Sequence, residues 1–173
     1  MTEVVINSLW NANVYLDGAN LLGRVEEFEV PQPKQLMQDY KGLGMAARIE
    51  IPVGYDKLES SLKFSSFDWP SIQLAAVTTG LHDIVVMGDL QQISAAGETG
   101  HIPVICNLTA TFKDPGKIPF KAQENVTLEA DLVIYHIELV VAGLQIYLFD
   151  ALSNQYIVGG VDQLAQFRAN IGA

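Results

Sequence analysis

The sequence predicts a mostly-β (α+β) fold: a β-sandwich or barrel core with two short helices and a long extended arm. Apolar residues recur with a period of two in several stretches, turn signals containing glycine join pairs of them, and helix-period stripes are few and short. The chain has 173 residues, the size of one domain spanning 1–173. A domain of that size buries about 70% of its unfolded surface without help from disulfides or metals.

In chain order, Asn13 to Leu16, the turn Asp17-Gly18-Ala19-Asn20 and Leu21 to Val30 read as a hairpin built on Asp-Gly turn chemistry. Leu58 to Ser65 alternates, with Leu58, Leu62 and Phe64 on one side and Glu59, Ser61, Lys63 and Ser65 on the other. Asp68 is placed to cap a helix with Pro70 in its first turn; Trp69, Ile72 and Ala76 share one face, and Gly80 ends it. Ile84 to Ile93 is a strand. From Ile102 to Lys113 the even positions are Ile, Val, Cys, Leu, Ala and Phe, so one face of that strand is buried. Val126 to Val141, Ala142-Gly143 and Leu144 to Phe149 form a second hairpin. Its first arm alternates at Thr127, Glu129 and Asp131 and is apolar on both faces from Leu132, as expected of a strand that leaves one partner and runs beneath another. A C-terminal helix over 161–171 carries Leu164, Phe167 and Ile171 on one stripe.

Pro31 to Asp56 fits none of these patterns. It is far longer than the ~4–6 residues of an ordinary connection and too apolar for a solvated linker, with Leu36, Met37, Leu43, Met45, Ile49, Ile51 and Val53. An extended arm, 31–56, that docks on a neighbouring molecule accounts for both facts. Gly42, Gly44 and Ala47 formally match a dinucleotide-binding G-x-G-x-x-A, but no buried strand precedes them and the following Arg48-Ile49-Glu50-Ile51 alternates like a strand. They are read as a bend in the arm.

Only 17% of residues are charged and 49% are hydrophobic, yet twenty acids against ten Lys and Arg leave a net charge of −10. Low charge density implies apolar surface buried against other chains. The acidic balance argues against gripping nucleic acid, which is driven by Lys and Arg displacing counterions; its simplest role is solubility. The N-terminus lacks a basic leader and a sustained apolar core, and no apolar run approaches the ~20 residues of a membrane helix, so no membrane anchor is expected. The N-x-T sequons at Asn107 and Asn125 are accordingly read as chance. Cys106 is the lone cysteine, on an apolar strand face, and is read as an inert core thiol. His82, His101 and His136 are scattered, no catalytic elbow or P-loop occurs, and Glu26-Glu27 and Glu129/Asp131 read as solvated carboxylates. No catalytic, cofactor or metal residue is assigned.

Four places in order resemble one family. They are Asn13-Val14-Tyr15-Leu16-Asp17-Gly18, Tyr40-Lys41-Gly42-Leu43-Gly44-Met45 in the arm, the turn Lys113-Asp114-Pro115-Gly116, and the ending. That ending is Gly160-Val161-Asp162-Gln163-Leu164, then Arg168 and Asn170-Ile171-Gly172-Ala173. The chain resembles the major tail tube proteins of contractile-tailed phages and the related tubes of R-type pyocins. Departures are confined to turns: an extra Gln32-Pro33, Ala142-Gly143 and Gly159-Gly160. The resemblance implies a virion protein made in the host cytoplasm. Its copies would form hexameric rings that stack into a hollow tube inside a sheath, with baseplate or tube-initiator and terminator proteins as further partners and DNA passing through unbound. Tyr40, Gly42, Leu43, Gly44, Met45, Val161, Asp162, Leu164 and Arg168 are the expected assembly contacts, and Thr127, Glu129 and Asp131 the expected lumen lining. The alternative for those acids is a face toward the sheath or a ring joint. A bacteriocin or type VI-like tube shares the architecture, and a small-ligand β-barrel is the reading from another class.

Overall fold

The computed structural model describes residues 4–118 and 126–172, so Met1 to Glu3, the Asn125 sequon and Ala173 lie outside the described residues. Its strands in chain order are β1 (Ile6–Leu16), β2 (Ala19–Asn20), β3 (Val25–Phe28), β4 (Gln35–Tyr40), β5 (Ile49–Tyr55) and β6 (Leu58–Phe64). Helix α1 (Trp69–Ala75) separates these from β7 (His82–Ser94), β8 (Gly97–Asp114), β9 (Leu128–Val141), β10 (Leu144–Asp150), β11 (Gln155–Val158) and β12 (Val161–Asp162), and α2 (Ala165–Ile171) ends the chain. One antiparallel sheet runs β12-β11-β10-β9-β8-β7-β1-β2; β6, with β3 beside it, also joins β9. Strands β4 and β5 form a separate two-stranded sheet.

Strand β9 is the spine. One of its edges is taken by β8, while the other passes from β6, along Leu128 to Ile134, to β10, along His136 to Val141. Tyr135 is an extra residue against β8, between the partners of Thr109 and Ala110, and this bulge marks the change of partner. The expected change of partner occurs, but along the sheet edge: β9 does not pass beneath another element, and Val133, His136, Glu138 and Val140 on its outer face stay part-exposed.

The core lies on one face of this sheet. Leu16, Ile84, Leu108 and Ile137 stand in register across four strands and are fully buried, and Val14 and Cys106 stand on the next inward rung. From β6, Leu58, Leu62 and Phe64 point in as predicted, and Ser60 is also buried because its hydroxyl donates to the Glu29 carbonyl. Phe112 has no exposed surface; truncating such a side chain to alanine costs about 3–5 kcal/mol.

Four expectations are corrected. After the Asp17-Gly18 turn only Ala19 and Asn20 pair with β1; Leu21 enters the core, and β3 pairs with β6 instead. Helix α1 is capped by Asp68 as predicted but ends at Ala75, before the β-branched run Val77-Thr78-Thr79. It buries Ser71 and Ala75, leaving Trp69 69% exposed. The arm is extended, but its two limbs pair with each other as a regular β-hairpin, which was not expected. The terminal helix begins at Ala165 instead of 161, because Gly159 and Gly160, with φ of +56° and +81°, fold Val161 and Asp162 back onto β11 as β12.

Candidate assembly interface

The β4–β5 hairpin pairs Gln35 with Tyr55 at its base and Tyr40 with Ile49 near its tip. Every residue of β4 is exposed, as is β5 up to Gly54. Leu36, Met37, Tyr40, Ile49, Ile51 and Val53 therefore present apolar surface on both faces, and Leu43 at the tip is 108% exposed. Gly42, Gly44 and Ala47 lie at this tip between two strands, so no helix follows to receive a pyrophosphate. The tip is closed by the Met45 N–H donating to the Gly42 carbonyl (3.2 Å), with Gly44 at φ +86°.

The root is held firmly. The Tyr147 hydroxyl donates to the Pro31 carbonyl (3.0 Å), the Asp56 N–H to the Lys34 carbonyl (2.9 Å), and the Tyr55 ring packs on Phe149 and Tyr156 with centroids 5.6 and 5.3 Å away. A lone two-stranded hairpin is marginal in water. Its apolar faces make it an element completed by another surface.

At the other end of the chain, Val161 is exposed, Leu164 partly buried, and Phe167 and Ile171 exposed on α2. Asp162 and Arg168 bind each other. The Arg168 guanidinium donates to the Asp162 carboxylate and to the Asn154 carbonyl (2.8 Å), and the Leu164 N–H donates to Asp162 (2.9 Å). The Arg168 hydrogen bond holds the Asp162 carboxyl below the usual carboxylate range. Their geometry ties α2 to β11 and β12, leaving Val161, Phe167 and Ile171 as the free apolar surface there.

Thr127, Glu129 and Asp131 are exposed on one side, opposite the buried Leu128, Ala130 and Leu132. Lysines stand near them: Lys63 is in register with Glu129 and bridges to Glu26 (3.3 Å), and Lys113 bridges to Glu59 (3.0 Å). Farther along the same outer face come Asp83, Thr109 and His136, then Val85, Asn107 and Glu138, then Met87, Ile105 and Val140. Asn13 and Tyr15 extend it on β1. No Lys or Arg occurs in 64–112 or in 122–167, so these rungs carry acids and amides without a cation from either residue type. The Glu138 carboxylate accepts from Asn107 (3.2 Å) and Gln145 (2.7 Å). Of this face only Thr127, Glu129 and Asp131 were expected to line a lumen from the sequence, although the long stretches without Lys or Arg are readable in the primary structure.

Burial pushes the Cys106 thiol up to about 12, which leaves it protonated and unreactive at neutral pH. Among the described residues no three His, Cys, Asp or Glu side chains gather as a metal site. The chain belongs to the family of phage tail tube protein FII, whose model matches residues 6–172. It is 25% identical over 163 residues to the tail tube protein of Escherichia phage P2, covering 92% of this chain and 94% of that one. In fold it matches a chain of the cryo-EM structure of an extracellular contractile injection system, the PVC sheath-tube complex in the extended state. That match has a TM-score of 0.52 at 13% identity and covers 76% of this chain and 88% of the other. A chain from the sheath/tube terminator of the same system matches at 0.52 and 12% identity, covering 76% and 94%. The resemblance to contractile-phage tail tubes read from the sequence is thereby borne out: this is a structural, non-enzymatic virion protein of the tail tube class.

Proposed function

We propose that the chain polymerises as stacked hexameric rings into the inner tube of a contractile tail and that the tube conducts DNA into the host. The observation that carries this reading is the β4–β5 hairpin, an apolar projection on a firmly held root with no covering surface of its own. A second copy supplies that cover. Val161, Leu164 and the apolar face of α2 are proposed as further contacts, while Asp162 and Arg168 hold their backbone in position. The sheath and a tube terminator are the natural partners, because the matching folds come from a sheath-tube complex and a terminator; a baseplate initiator would nucleate the first ring.

The lumen is assigned to the outer sheet face that begins at Thr127, Glu129 and Asp131 and continues through His136 and Glu138. Carboxylates and amides release no condensed counterions on meeting phosphate, so DNA slides past without adhering. The test is negative-stain electron microscopy of the concentrated protein beside a variant carrying Leu43→Asp and Met45→Asp. The parent is expected to form rings or hollow rods and the variant to remain a folded monomer. Rods from the variant would remove the hairpin from assembly, and a parent that stayed monomeric alongside purified sheath and initiator would remove the tube reading.

A further inference from the structure

The inner face of the sheet is not covered along its whole length. Beyond the rung of Val14 and Cys106 it runs out from the core, and with β3 it walls an apolar cleft of about 400 Å³. Leu9, Val25, Val30, Val86, Val104 and Leu139 line it. Its floor is kept open by Gly88, where a Cβ would lie 3.0 Å from the Leu9 Cδ1. Among the described residues, the charged ones on its wall are Glu26 and Glu27, and no Lys or Arg lines it.

The tip of the β4–β5 hairpin has the opposite character. From Tyr40 to Arg48 it carries Lys41 and Arg48, the latter 3.8 Å from the Asp39 carboxylate just below the tip, in a chain whose net charge is −10, and between those cations stand Leu43 and Met45. We propose that this cleft is the receptor for the hairpin tip of a second copy. Leu43 and Met45 enter the apolar floor, and Lys41 and Arg48 meet Glu26 and Glu27 at the rim. The inference rests on the hairpin being an assembly arm and names the surface that receives it. Charge complementarity selects this occupant over an uncharged apolar ligand, for which two rim carboxylates serve no purpose. Association buries the tip's apolar surface and the cleft's in one step, whereas each is wet in the isolated chain.

The experiment is a charge exchange, read as the critical concentration for polymerisation by light scattering, with circular dichroism as the folding control. Lys41→Glu with Arg48→Glu places like charges at the rim, and the critical concentration is expected to rise about tenfold or more. Glu27→Lys alone raises it too, and Glu27 is chosen because Glu26 is already bridged to Lys63. Combining the exchanges on both surfaces restores assembly toward the parent value. If the hairpin variant is blocked and the combined variant stays blocked, the cleft is not the receptor although the hairpin remains an assembly arm. If the hairpin variant polymerises like the parent, the arm reading falls and the cleft proposal falls with it.

Discussion

Gly116 closes the Asp114-Pro115-Gly116 turn at φ +80° with its α-carbon pressed on β9; a Cβ there would stand 2.0 Å from the Glu129 carbonyl oxygen. Gly116→Ala therefore has to move the backbone of the spine strand. It is expected to destabilise the fold by about 2–4 kcal/mol, measured by urea denaturation. His82 is 5% exposed, with Nδ1 2.7 Å from the Asp17 carboxylate and Nε2 3.0 Å from the Val77 carbonyl. Two acceptors facing both ring nitrogens are satisfied together only by the imidazolium. Burial opposes that charge, but the Asp17 and Val77 hydrogen bonds and the charges of Asp17 and Asp83 prevail, so the pKa is raised. A raised folded pKa means that the contribution to stability is complete below the unfolded value of ~6.5 and is lost as pH rises through the folded one. The urea midpoint should therefore fall on going from about pH 6 toward alkaline pH, and His82→Gln should flatten the profile. Slope left in that variant near neutral pH belongs to His101, which Glu98 and Asp89 raise in the same direction at the surface; at more alkaline pH the Cys106 thiol and the Tyr147 hydroxyl, both kept protonated by burial, add a further fall. The turn at 114–116 was legible as turn chemistry, but the closeness of Gly116 to Glu129 was not, because it depends on how a distant strand lies against the turn.

At the level of elements, β1 presents an open edge. The Val14 carbonyl accepts from Leu21, so the backbone groups of Val14, and of Ala12 two residues earlier, aim away from β7. The N–H groups of Ala12 and Val14 are instead taken by the side chains just before them, Asn11 (2.8 Å) and Asn13 (2.9 Å). Two amides thus blunt an edge on which another strand would otherwise pair. Asn11→Ala with Asn13→Ala bares both donors and is expected to shorten the lag before polymerisation, followed by light scattering, while leaving the monomer fold intact by circular dichroism. A longer lag would show that the amides help assembly. The strands with one buried face were legible from alternation, and so was the change of partner along β9. The hairpin at 35–55 was read as an extended arm because both of its faces are apolar and wet, so β4 carries no two-residue period to betray its pairing. The late start of α2 was hidden for another reason: the apolar stripe reaches Val161 only by coincidence of spacing, while two left-handed glycines redirect the chain.

For the whole molecule, charge is segregated. Its lysines and arginines lie in the arm and its flanks, in β6, in the stretch from Lys113 to Lys121, and at Arg24 and Arg168, which leaves the long strands β1, β7 and β9 without either. Met87→Lys with Asp89→Lys puts cations on the outer rungs without touching the core. If that face lines the lumen, assembled tubes are expected to retain DNA at low salt and release it as salt is raised. Retention by Glu129→Lys with Asp131→Lys instead would confine the lumen to the end of β9 near β6. A net charge of −10 was legible at once, but which of the acids share the outer sheet face followed only from the register of the strands.

That segregation also decides where trypsin can cut. The enzyme cleaves after Lys or Arg, so most of the body is a poor substrate, whereas Lys41 and Arg48 bracket the exposed tip that holds Leu43. Brief digestion of free subunits would clip that tip first and leave the long strands whole. Subunits whose tips are seated in a neighbour would be spared, so the ratio of clipped to intact chain counts the unassembled fraction of a preparation.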